Sequence, residues 1–157
     1  MEKYLKLLSP KSINYEADRI DGGIPSLQAQ DVLLAMSYAK LTPLQDNLLR
    51  LKYFGANTKA NIELFSSVLV SRFESNFNGY GVPQVYHRSI LKIALMEFCL
   101  VPGGYKPSKR NRAVLCGFSD TTVFIHMMKR VDEVLELFNL EMKIAEVKIF
   151  TQISKLS

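Results

Sequence analysis

The chain has no tryptophan, two cysteines and two histidines among 157 residues, and each shortage excludes something. Cys99 and Cys116 stand apart with no Cys-x-x-Cys pair. With only His87 and His126 to join them, neither a disulfide framework nor a zinc site is expected. Both cysteines sit in apolar surroundings and read as buried thiols. No apolar run approaches the ~20 residues that cross a bilayer. The opening Met1–Pro10 lacks the apolar region and small-residue cleavage site of a signal peptide. Phosphate-binding glycine loops, nucleophile elbows and metal-ligand clusters are also missing, so a cytoplasmic, non-enzymatic protein with no metal and no cofactor is expected. What remains is ordinary for a globular chain, with 48% hydrophobic and 22% charged residues.

The pattern of apolar residues and breakers predicts an all-α fold, a compact helical bundle with an irregular N-terminal arm. Ser9-Pro10, Gly22-Gly23 and Pro25 break residues 1–25 into that arm. Residues 26–78 read as an N-terminal helical unit. Ser26 caps a helix to about Lys40, and Thr42-Pro43 open a second that Gly55 ends. Asn57 or Thr58 starts a third, with Phe65, Val68, Leu69 and Phe73 on one face. Asn76–Pro83 reads as a linker to a second region, 79–139, where Leu91, Ala94, Leu95 and Phe98 mark a fourth helix. Pro102–Pro107 is expected to be a loop. The C-terminal segment 140–157 suits a helix through Met142, Ala145, Ile149, Ile153 and Leu156, although its β-branched residues also allow a strand; helix is favoured.

The most specific stretch is Ala113–Val123, whose spacing is that of a helix-turn-helix. Small Ala113 permits close helix approach, and Gly117 can adopt the left-handed conformation that ends a helix. Ser119 can cap the next helix, and Val123 returns as a buried anchor. The helix opening at Asp120 would be the recognition helix, with Val123, Met127, Val131, Val134, Leu135 and Phe138 as its core stripe. Any pair of core helices joined by a glycine turn gives similar spacing. Arg112 also stands where such a motif has an apolar residue, His126 where a small aliphatic is common, and Phe124 and Ile125 face outward.

Charge favours nucleic acid. The net charge is +5, and between Arg88 and Arg130 eight basic residues stand against Glu97 and Asp120. That window alone carries an excess of six, so the rest of the chain is nearly neutral. Lys109, Arg110 and Arg112 are assigned to phosphates, with Arg130 in the same basic surface. Ser119, Thr121, Thr122 and Lys129 are assigned at or near base edges. Asp120 could accept from a cytosine amino group at a cost in affinity.

The N-terminal run Ser9-Pro10-Lys11-Ser12-Ile13-Asn14-Tyr15-Glu16-Ala17-Asp18-Arg19-Ile20-Asp21-Gly22-Gly23-Ile24-Pro25 resembles the opening of the late-gene antitermination Q proteins of lambdoid phages, in their zinc-free, phage 21-type branch. The resemblance implies a factor in the bacterial host cytoplasm that binds double-stranded DNA beside a late promoter. Such a factor captures paused RNA polymerase still holding sigma, in one copy or more, and lets it read through terminators. It acts at the RNA exit channel, where nascent RNA passes. Two other functions compete: a helix-turn-helix repressor or activator that stays at its operator, and a metal-dependent nuclease using Glu16, Asp18 and Asp21. For those carboxylates a solvated or partner-facing loop is the simpler reading, because Arg19 lies among them.

Overall fold

The computed structural model of the chain describes residues 28–99 and 106–156. The expected arm, the Ser26 cap, the group Glu16, Asp18 and Asp21, and most of the Pro102–Pro107 loop lie outside the described residues. Within them every regular element is helical, the segment after Leu140 included.

Four of the described helices begin where a hydroxyl side chain accepts from a free backbone N–H of the first turn. Helix α1, Ala29–Tyr38, follows Gln28, whose N–H donates to Asp31 Oδ2 at 2.9 Å. Helix α2, Pro43–Tyr53, opens on a capping box. Thr42 Oγ1 accepts from the Gln45 N–H, and Gln45 Oε1 accepts from the Thr42 N–H at 3.1 Å. Gly55, at φ 70°, follows its end. Helix α3, Lys59–Gly79, is capped by Thr58, and α5, Lys109–Cys116, by Ser108. Helix α4 spans Gln84–Cys99. The last helix, α6, opens as one α-helical turn at Asp120–Thr122, passes through a π turn at Val123–Met127 and continues over Met128–Leu156.

The chain divides into two compact units, residues 1–56 with 140–157, and residues 57–139. In the first, Val32, Ala35, Leu48, Leu49, Ala145 and Ile149 are fully buried. A buried polar group, Gln45, donates through Nε2 to Glu141 Oε2 at 2.7 Å and accepts at Oε1 from Lys148 Nζ at 3.0 Å. Its amide is therefore satisfied at both ends, as burial requires.

In the second unit α3 and α4 pack along each other beneath an aromatic cluster. Phe73 stacks on Phe77 at 5.8 Å between ring centres, and Phe138 meets Phe73 and Phe98 edge-on.

This division corrects the expected boundary between 26–78 and 79–139. Asn76–Pro83 has the composition of a linker but is the last turn of α3 followed by a tight turn at Tyr80–Pro83, within the second unit. Its N–H groups are used locally: Gly81 donates to the Asn78 carbonyl at 2.9 Å and Val82 to that of Phe77 at 3.0 Å. The Val82 carbonyl in turn accepts from buried His87 Nε2 at 2.8 Å. Glycine at 81 is required because φ there is 69°.

Two smaller expectations also change. Val68 points to solvent, and the buried face of α3 runs through Ile62, Ser66, Leu69, Phe73 and Phe77. Cys99 and Cys116 are half-buried rather than buried. No helix of the described residues is long and apolar enough to cross a membrane.

Candidate nucleic-acid interface

Helices α5 and α6 are joined by Gly117-Phe118-Ser119. Gly117 has φ 76°, in the left-handed region, and its N–H donates to the Ala113 carbonyl at 2.8 Å. Ser119 Oγ accepts the Thr122 N–H at 3.2 Å and donates to Thr122 Oγ1 at 2.9 Å. Val123 is fully buried. The three local features read from the sequence (left-handed glycine, serine cap, valine anchor) are therefore all present. The Ser119 hydroxyl is thus used within the turn, both as acceptor and as donor.

The assigned phosphate contacts separate into two groups. Lys109 and Arg110 are exposed and occupy the first two positions of α5. Cations are disfavoured there by the helix dipole. Lys109 Nζ lies 5.7 Å from the centre of the Phe124 ring, so the start of α5 approaches the outward side of α6. Asp120, Thr121 and Lys129 are exposed on α6, as are Phe124 and Ile125, each 64% accessible.

Arg112 belongs to the second group, and its assignment to phosphate is corrected. Its side chain is 2% exposed and forks onto Glu97, itself 3% exposed. Nε donates to Glu97 Oε1 at 2.8 Å and Nη2 to Oε2 at 2.9 Å. Further bonds reach Asp132 Oδ1 at 2.6 Å and the Met128 carbonyl at 3.2 Å. Burial acts to lower the Arg112 pKa, but hydrogen bonds and charge from Glu97 and Asp132 outweigh it and hold it above the ordinary arginine value. The guanidinium is a clamp between α4, α5 and α6. Its place where the motif has an apolar residue was the sequence signal of burial.

Arg130 does not lie on the open basic surface expected of it. It is buried, with Nη2 on Glu133 Oε1 at 3.0 Å and its Cζ 3.7 Å from the centre of the Tyr80 ring.

Two more of the basic residues counted in the sequence share one carboxylate of α3. Arg88 and Lys92 both bind Glu63, Arg88 Nη2 at 3.0 Å. The Lys92 hydrogen bond, acting against a burial effect and aided by Arg88 and Lys59, holds the Glu63 carboxyl below its usual range. Of the eight cations between Arg88 and Arg130, Lys106, Lys109, Arg110 and Lys129 remain exposed and outside these ion pairs. They form the reduced electrostatic footprint of the α5–α6 region.

No protein family, curated protein or solved structure matches the chain.

Proposed function

We propose that the chain is a DNA-binding transcription factor that uses the α5–α6 pair as a helix-turn-helix, and that it acts as an antiterminator on RNA polymerase. The observation that carries the DNA reading is the turn at Gly117–Ser119, beside which Lys109, Arg110, Thr121 and Lys129 are exposed. Lys109 and Arg110 stand against the dipole of their own helix, a stability cost that an approaching phosphate would offset. Thr121 is the base-edge candidate, Lys129 is an exposed cation one helix face along, and Phe124 would meet a thymine methyl. The antitermination step is supported by the resemblance of Ser9–Pro25 to the zinc-free late-gene antiterminators of lambdoid phages. It asks for no covalent chemistry, only for attachment to the polymerase.

The test is run-off transcription on a template with the chain's DNA site beside the promoter and a terminator downstream. The expected result is read-through that depends on the DNA site and is lost when Lys109 and Arg110 are both changed to Ala. Occlusion of initiation without read-through would replace the antiterminator with an operator-bound repressor.

A further inference from the structure

Arg130 is a charged side chain only 9% exposed, and its environment satisfies it incompletely. Nη2 is held by Glu133 and the face of the guanidinium by Tyr80, but Nη1 is buried without a hydrogen-bond partner. A buried charged donor left in that state is costly. The same side chain lines a cleft of about 180 Å³, formed between the α3–α4 turn and the π turn of α6. Tyr80 and Gly81 contribute one wall, and His126, Lys129 and Arg130 the other. No acidic residue lines it; Glu133 is the counter-ion behind Arg130.

Both walls are fixed by interactions elsewhere in the unit. The turn is tied to α4 by the His87–Val82 hydrogen bond. His126 stacks on Tyr86 with ring centres 5.2 Å apart. π turns accumulate at functional sites because they re-aim side chains within a continuous helix. A water occupies about 30 Å³ of liquid volume, so the cleft has room for a tetrahedral oxyanion with part of its hydration shell.

We propose that this cleft binds a single phosphate group, with exposed Lys129 and His126 as its accessible donors and Arg130 as its fixed charge. Resting on the DNA reading above, the source of that phosphate is the nucleic-acid backbone. The contact lies on the π turn of α6 and the α-helical turn that follows it, separate from Lys109 and Arg110 at the start of α5, and would fix the orientation of the α5–α6 pair on a duplex.

The experiment follows backbone amides of the full chain by ¹H–¹⁵N NMR, with inorganic phosphate titrated against chloride at matched ionic strength. Saturable shifts are expected at Gly81, Val82 and residues 125–130. Lys129→Ala, an exposed change, should weaken them about tenfold, the loss of one charge-assisted contact. His126→Gln supplies a second variant, and unchanged amides elsewhere certify the fold of both. Duplex DNA should compete with the phosphate. A chain that binds duplex but shows no saturable phosphate response here overturns the site and keeps the DNA reading. One that binds phosphate here but no duplex keeps the site and loses the DNA reading. Duplex binding that leaves the phosphate in place overturns the nucleic-acid source and leaves free phosphate as the ligand.

Discussion

Replacing Arg112 by Met should destabilise the protein severely while leaving the DNA affinity of the folded molecules intact. The side chain links α5 to Glu97 on α4 and to Met128 and Asp132 on α6. Deprived of the guanidinium, Glu97 keeps a carboxylate that is 3% exposed, while Asp132, at 59%, is readily hydrated. Breaking a buried ion pair from one side costs about 3–5 kcal/mol. With a urea dependence of roughly 2 kcal/mol per molar, the unfolding midpoint should fall by about 1.5–2.5 M. The companion change Glu97→Leu removes the buried carboxylate as well, and replacing both partners of such a pair by apolar residues is often close to neutral. The double variant should therefore recover most of the loss. Urea melts of wild type, both single variants and the double variant complete the cycle. A cost under about 1 kcal/mol for Arg112→Met, or strictly additive single costs, would refute a coupled buried pair.

At Gly117 an added Cβ meets nothing within 4 Å, so the penalty of substitution is conformational alone. Melting should rank Gly117→Asn mildest, Gly117→Ala next at about 1–2 kcal/mol and Gly117→Val worst; equal stability of all three would remove the left-handed turn. Because Glu63 has a lowered pKa, its contribution to stability is present above its ordinary value of about 4.5 and is lost as the pH falls through the lower folded value. Glu63→Gln should accordingly flatten the acid limb of the pH–stability curve below about pH 4.5, and an unchanged limb would show that the Lys92 and Arg88 contacts carry no linkage. If the proposed DNA contact holds, four exposed cations of the α5–α6 region outside ion pairs would set a slope of log affinity against log salt of about −3.6, against about −7 if all eight cations engaged phosphates. A slope near the larger value would mean that the paired arginines open on binding.

What was legible in the sequence is short-range. Thr42, Thr58, Ser108 and Ser119 each cap a helix through a bond to the third residue on, so four neighbouring residues contain the whole cause. Gly117 is legible for the same reason. On α3 the expected face holds at Leu69 and Phe73 but not at Val68, which is as apolar as Leu69; only contacts with distant elements decide which of the two is buried. Asn76–Pro83 has the composition of a linker, yet it holds a helix end and the turn at Tyr80–Pro83. Its internal hydrogen bonds, and the His87 ring that ties it down, do not register as composition. The π turn left a fainter trace. Val123, Met127 and Val131 are spaced by two successive steps of four, longer than the α-helical repeat, and all three are fully buried.

The candidate site was less legible than the fold because residue type reports a charge but not its partner. Arg112 and Arg110 are chemically identical and two positions apart, yet one is sealed against Glu97 and the other faces water. The distinction was present as an anomaly, a cation at a position where helix packing calls for an apolar side chain. A cation can occupy such a position only if it brings its own counter-ion inside. Glu97, on the preceding helix, is one of only two acidic residues in the basic window; in net charge it only subtracts, whereas in the fold it is the partner of Arg112. The Arg130–Glu133 spacing carried a local clue of the same kind, since residues three apart on a helix are neighbours. Ion pairs thus convert a broad basic window into a small number of accessible cations. Lys109, Arg110 and Lys129 are what the α5–α6 pair can offer a phosphate backbone at full charge.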